Sequence, residues 1–174
     1  MPNVANDKLA VAHTLGGRVA AYWMLTLIVA WEMVAGSLWD LLRIEYVRVV
    51  FAHLGYPLYL LWILGIWKLP GAVVLLLPRL PRLKEWAYAG AFFNYSGAFA
   101  SHVLAGDRPG VWAFPLGFAI LSLASRALLP PERRAAPATP GVETRTAEWV
   151  VPIIVVIVLF VASLLTLPNG APAF

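Results

Sequence analysis

The chain has 174 residues, of which 61% are hydrophobic and 13% are charged, and it contains no cysteine. Soluble domains have about 45–50% apolar and about 25% charged residues, so this composition predicts an integral membrane protein without a separate soluble domain. The lack of thiols excludes disulfide exchange, iron–sulfur ligation and thiolate metal sites. We interpret the net charge of +4 as a determinant of membrane orientation rather than of nucleic-acid binding, because basic residues in membrane proteins mainly set topology.

Five segments approach the length of a membrane-spanning helix, which needs about 20 apolar residues. In chain order they cover residues 19–42, 58–77, 86–105, 111–129 and 149–167. The fold class predicted is therefore an all-α membrane protein, with a four-helix transmembrane bundle over 19–129 and a fifth, peripheral transmembrane helix within 149–174. Residues 1–18 are predicted to be a cytoplasmic segment. Residues 130–148, which contain several Pro and Arg, are predicted to be a cytoplasmic linker.

The distribution of basic residues predicts the orientation of these spans. Loops with the most Lys and Arg stay in the cytoplasm. One side of the predicted bundle carries nine such residues and the other three, namely Lys8, Arg18, Arg79, Arg82, Lys84, Arg126, Arg133, Arg134 and Arg145 against Arg43, Arg48 and Arg108. We therefore expect a multi-pass protein of the bacterial inner membrane, with its N terminus in the cytoplasm and its C terminus outside.

Lys68 is the most informative residue, because it lies near the middle of the second span. A lysine at the bilayer centre costs about 2.5–3.5 kcal/mol on insertion scales, so it normally faces a bundle interior and has a partner. Glu32, Gly36 and Asp40 follow one another at spacings of four on one face of the first span. Helical rise places Asn94 near the depth of Lys68, with Glu32 within reach of the lysine side chain. These residues predict a core layer of Glu32, Lys68 and Asn94.

A second polar layer is predicted at the outer ends of the spans, from Asp40, His53, His102 and Asp107. The candidate ligand-binding residues are thus Glu32, Asp40, Lys68, Asn94 and His102, with His53 and Asp107 at an outer mouth. His102 could donate a hydrogen bond to a quinone carbonyl, and a haem held by His53 and His102 is the less favoured interpretation. An ion pair between Glu32 and Lys68 that only fixes helix register is equally open. No metal site is predicted.

Small residues follow one stripe of the third span, at Ala87, Gly90, Asn94, Gly97 and Ser101. Membrane helices pack through small residues, because lipid tails give apolar side chains no incentive to associate. We therefore expect this stripe to be the buried face of the helix.

Three motifs in the middle of the chain resemble the DoxX-like family of small bacterial membrane proteins. They are FAHLGYP at 51–57, LGIWKLPGA at 64–72 and LPRLKEWAYAG at 80–90, followed by Gly97-Ala98, Ser101-His102 and Gly106-Asp107. The resemblance covers approximately residues 22–129. It implies a four-helix membrane bundle, with the fifth helix outside it, and a link to quinone-coupled oxidation of sulfur compounds or to membrane oxidoreductase assemblies. Many relatives have an acidic residue where this chain has Asn94, which argues against a proton relay at that position.

These observations predict a small integral subunit of a membrane redox system, or a quinone-interacting partner in one. The chain has no nucleophile-elbow, metalloprotease or phosphate-loop spacing, so its catalytic residues are unknown and enzymatic activity stays open. One alternative is a structural or assembly subunit of a larger complex, held through the fifth helix. Another is a small transporter that uses the second span, broken at Pro70, as its substrate site. The expected partners are the lipid bilayer and other membrane subunits or a second copy of the chain, and not nucleic acid.

Overall fold

The computed structural model describes residues 4–78, 80–131, 146–168, 170 and 172. This part of the chain forms six helices and no strands: α1 (Val4–Leu42), α2 (Glu45–His53), α3 (Tyr59–Leu76), α4 (Pro81–Leu104), α5 (Pro109–Leu128) and α6 (Thr146–Leu165). The predicted all-α membrane fold is confirmed. Most of the predicted linker over 130–148 lies outside the described residues.

Three helical segments among the described residues are long and apolar enough to cross a membrane, at Leu15–Leu42, Tyr59–Leu76 and Pro109–Leu128. A shorter apolar helix covers Val150–Leu165. The predicted third span corresponds to α4, which is long enough to cross a membrane but is less apolar than these segments. Its first turns carry Arg82, Lys84 and Glu85, and its middle and end carry further polar residues. α4 therefore depends on its neighbours in the bundle to cover its polar groups.

The bundle is built around α1, which packs against α3, α5 and α6, while α4 packs against α3 and α5. The interior contains a continuous apolar cluster from α1, α3, α4 and α5, including Val29, Val34, Leu75, Ala91 and Ala119. α6 lies against α1 and α3, with Val155, Val156 and Leu159 packed on this cluster. Its other faces are exposed, as expected for a peripheral helix in contact with lipid.

Close contact between α1 and α3 depends on glycine. A Cβ atom added to Gly65 would lie 2.7 Å from Leu41 Cγ and 3.1 Å from the Ser37 carbonyl oxygen. The Ser37 hydroxyl donates a hydrogen bond of 2.7 Å to the Gly65 carbonyl oxygen. The two helices therefore approach closely enough for a side-chain to main-chain bond, as small residues allow in membrane bundles. α3 stays helical across Pro70.

The prediction for the buried face of α4 is wrong. The residues that it buries are Lys84, Tyr88, Ala91, Tyr95 and His102, whereas Gly90 and Gly97 are exposed and an added Cβ would meet nothing within 4 Å at either. The tyrosines face inward because they combine a large apolar ring with a hydroxyl that finds a partner inside the bundle. The two glycines of the predicted stripe instead lie on the outer surface of the helix, and Ala87, Asn94 and Ser101 are half-buried.

Candidate functional site

The amine of Lys68 forms an ion pair with Asp40, with Nζ 2.9 Å from Oδ2. The side chain of Asp40 is 3% exposed and that of Lys68 is 15% exposed. Helical rise predicts that Asp40 and Lys68 lie at different depths in the bundle, and the direction of the two helices explains why their side chains still meet. Side chains tilt toward the N terminus of their own helix, and α1 and α3 run in opposite directions through the bundle. The aspartate therefore points into the bundle while the lysine points toward the α2 end, and the two meet.

Glu32 lies beside this pair but bonds to a different residue. Its carboxylate accepts a hydrogen bond from the Tyr95 hydroxyl and interacts electrostatically with Lys68. Gly36 separates the two acids, and a Cβ added there would lie 2.9 Å from Lys68 Nζ and 3.1 Å from Glu32 Oε1. Gly36 thus leaves the space that the amine and the carboxylate occupy. We call Glu32, Asp40, Lys68 and Tyr95 the charged centre.

The composition of the charged centre limits its chemistry. Two carboxylates face one amine, so one proton beyond those of the ammonium and the phenol would make the group electrically neutral. Unpaired charge is costly in an apolar interior. A group of this kind can accept or give up a proton, and the ammonium protons of Lys68 that Asp40 does not accept can donate hydrogen bonds to a ligand.

Asn94 is half-buried, and the residue of α4 that reaches Glu32 is its neighbour Tyr95. Sequence analysis missed Tyr95 because it followed the small residues of the helix. The signal was present in the spacing of seven between Tyr88 and Tyr95, which places two amphipathic rings on one face.

The outer-mouth residues form a separate group at the α2 end, which we call the Asp107 cluster. The Asp107 carboxylate contacts two histidines, with Oδ1 2.7 Å from His53 Nε2 and Oδ2 2.6 Å from His102 Nδ1. The hydrogen bond from His102, followed by that from His53, lowers the pKa of Asp107 below its ordinary value. Because His53 ends α2 and His102 lies in the last turn of α4, the carboxylate joins the two helices.

A second bond joins the same parts of the chain, since the Tyr56 hydroxyl lies 2.6 Å from Ser101 Oγ. Asp40 belongs to the charged centre rather than to this outer layer. Both imidazoles in the Asp107 cluster bond to one carboxylate. Within the described ranges, no group of three or more His, Asp or Glu side chains could hold a metal ion.

The chain belongs to the DoxX-like family, which it matches over residues 24–125, more than half of its length. The matched region contains every residue of the charged centre and of the Asp107 cluster, and it ends before α6. The family resemblance predicted from the motifs is therefore confirmed. No curated protein and no solved structure shows a significant match to the chain.

Proposed function

We propose that the charged centre binds the ring of a quinone, and that the protein serves a redox system of the bacterial inner membrane in this way. A quinone ring has two carbonyl oxygens that accept hydrogen bonds. Its reduction to a quinol consumes two electrons and two protons. The charged centre supplies both kinds of group in one place. Lys68 has ammonium protons beyond the one that it donates to Asp40, and Glu32, held by the Tyr95 hydroxyl, and Asp40 supply carboxylates.

The observation that carries this proposal is the pairing of the two acids within an apolar bundle. Ionisable groups inside a membrane are costly and are functional candidates by default. A pair that only fixes helix register needs one acid, whereas this site holds a second acid with its own phenol donor. The electrons for reduction would come from a partner oxidoreductase, since this chain has no cysteine for a redox centre of its own.

The surface of α3 next to Lys68 suits a ligand that arrives through lipid. Ile66 and Trp67 are 58% and 71% exposed, and Lys68 itself is partly exposed. A quinone dissolved in the bilayer would reach the amine along this side without first entering water. In the predicted orientation the Asp107 cluster lies at the outer end of the bundle, and it would supply protons from that side.

Quinone-dependent stabilisation tests this proposal. The purified protein, in lipid nanodiscs, is heated with a short-chain ubiquinone or menaquinone analogue. A ligand at 100 times its Kd stabilises the folded state by about 2.7 kcal/mol, so the unfolding midpoint should rise. Lys68→Leu and Tyr95→Phe should abolish the rise. Tyr56→Phe, which removes a hydroxyl that contacts Ser101 and no residue of the charged centre, is the matched control and should retain it.

Two results would count against quinone binding. One is a wild-type midpoint that does not respond to either analogue. The other is an equal rise in wild type and in both charged-centre variants, which would show that the quinone acts only by partitioning into the lipid.

The exposed surface of α6 favours a second candidate function, assembly into a larger membrane complex. Ile153, Ile157 and Val161 are exposed on this helix, while other residues of α6 pack on the bundle. Changing these three residues to alanine should release partners in a native gel without unfolding the protein. An unchanged complex would reject this role for α6, and it would leave the quinone proposal untouched.

A further inference from the structure

Three arginines lie on α1, α4 and α5 at the end of the bundle opposite α2. We call Arg18, Arg82 and Arg126 the arginine patch. Arg18 Nη2 donates a 3.3 Å hydrogen bond to the carbonyl oxygen of Ala127, the residue that follows Arg126. Arg82 lies three positions before Glu85 on α4, and residues at this spacing are neighbours on a helix surface. The patch is at the other end of the bundle from the Asp107 cluster, and the proposed quinone chemistry does not use it.

The arginine patch has more positive charge than the acid beside it balances. Arg126 Nε pairs with Glu85 Oε2 at 2.6 Å, and the two side chains are 35% and 47% exposed. Arg18 and Arg82 are exposed, and among the described residues neither of them forms an ion pair with a carboxylate. A guanidinium has several N–H donors and no acceptor. The patch therefore keeps donors and charge for an oxygen-rich anion.

The surface of α4 next to the patch is apolar. Trp86 lies one helical turn after Arg82 and is 78% exposed, and Leu83 beside it is 48% exposed. Tryptophan side chains of membrane proteins concentrate at the level of the lipid headgroups. This face of α4 thus carries a cation at its first turn and an apolar surface directly toward the middle of the helix, which is the order of headgroup and acyl chain in a lipid.

We propose that the arginine patch binds the phosphate group of an anionic phospholipid, with the acyl chains of that lipid along Trp86 and Leu83. Guanidinium groups form paired, charge-assisted hydrogen bonds with phosphate oxygens, and basic sites between membrane helices recognise anionic headgroups. A free phosphate ion would meet the same arginines, but it has nothing to cover the indole. The patch includes residues of α1, α4 and α5, so the bound headgroup would contact the ends of separate helices.

Lipid retention tests the site. Wild-type protein is exchanged into micelles that contain equal amounts of dioleoyl phosphatidylglycerol and dioleoyl phosphatidylcholine, and native mass spectrometry identifies the lipid that stays bound. We expect phosphatidylglycerol to be retained in preference, and we expect added inorganic phosphate not to displace it. Equal retention of the two lipids overturns the proposal. Complete displacement by inorganic phosphate also overturns it, because the site would then bind the ion rather than the lipid.

Arg82→Gln locates the site, because the Arg82 side chain has no hydrogen bond within the described residues that the fold would lose. One basic residue near an anionic headgroup changes the affinity about fivefold, so the variant should bind phosphatidylglycerol about fivefold more weakly in a titration. Arg48→Gln, which removes an exposed arginine at the α2 end, is the matched control and should bind as wild type does. An equal decrease in both variants would mean general attraction between charges, and an unchanged affinity in Arg82→Gln would mean that the lipid binds elsewhere. Either result overturns the proposal, and the retention experiment on wild type does not depend on the folding of a variant.

Discussion

The two lysines on the inner faces of the bundle, Lys68 and Lys84, are held in different ways. Lys68 projects from the middle of α3 and pairs with the carboxylate of Asp40. Lys84 is fully buried near the start of α4, and its amine donates to the carbonyl oxygens of Val74 and Leu75 at 2.7 and 2.6 Å. These carbonyls belong to the last turn of α3, where the helix has no further amide protons to satisfy them.

The comparison separates a functional candidate from a structural group. Lys84 acts as a cap, since a cation at a helix C terminus also interacts favourably with the helix dipole. Lys68 caps nothing. Its partner is a second ionisable side chain, and a further acid lies beside it. A buried lysine is therefore informative about function only when its partners are known.

The largest effect is expected when the partner of Lys68 is removed. Asp40→Leu leaves the amine without its carboxylate, and the loss of one member of a buried pair costs about 3–5 kcal/mol. The double variant Asp40→Leu with Lys68→Leu should recover most of this loss, because an apolar pair replaces the ionic one. Reversible unfolding in mixed micelles measures both. A double variant as unstable as the single one would contradict the ion-pair account.

Lys84→Met tests the other half of the comparison. Methionine retains the apolar stem but removes the donor from two carbonyl oxygens, and hydrogen bonds to charged groups contribute about 1.5–3 kcal/mol. We expect destabilisation of about 2–3 kcal/mol with no effect on ligand response. Hydrogen exchange should rise in the last turn of α3. Exchange that rises instead around Asp40 would show that the two lysines are coupled.

Gly36→Ala crowds the charged centre without removing any charge. The added Cβ would meet Lys68 Nζ at 2.9 Å, but the amine is the end of a flexible side chain and can shift. The expected cost is about 1 kcal/mol, at the low end for overpacking. Gly90→Ala is the matched control, since nothing lies within 4 Å of its added Cβ, and it should be neutral or stabilising. Equal destabilisation by the two variants would show that the cost of Gly36→Ala does not come from crowding in the charged centre.

The Asp107 cluster should make the stability of the protein depend on pH in the acid range. The folded pKa of Asp107 lies below its unfolded value because His102 and His53 donate to the carboxylate. The stability that this group contributes is therefore fully present above the unfolded pKa of about 3.9. It is lost as the pH falls through the lower folded pKa. Asp107→Asn should remove this acid dependence from the unfolding curve. An unchanged curve would show that other carboxyl groups cause it.

Much of the charged centre could be predicted from the sequence. A charge in the middle of an apolar span requires a partner, and the spacing of Glu32, Gly36 and Asp40 placed two acids on the face that meets Lys68. Helical rise alone could not show whether Glu32 or Asp40 pairs directly with Lys68. Rise locates Cα atoms, whereas the ion pair depends on side chains that tilt in opposite directions on antiparallel helices. The prediction therefore paired Lys68 with Glu32, and the direct bond goes to Asp40.

The role of Lys84 and the contact of Tyr95 were less accessible. Lys84 follows a short connection rich in proline and arginine, where a lysine is usually exposed, and its burial depends on how tightly α3 and α4 meet. Tyr95 was missed because the small residues of α4 suggested the opposite face. In both cases tertiary packing determined the answer, and local sequence pattern was not enough.

The placement of α6 affects how the charged centre can be reached. Asp40 comes from α1 and Lys68 from α3, and these are the two helices that α6 covers. α6 lies outside the region that matches the family. Without α6, the side of α1 and α3 that it contacts would be exposed to lipid. The last helix thus covers one side of the contact between α1 and α3, and the quinone of the proposed function would have to approach Lys68 along the exposed surface of α3 at Ile66 and Trp67.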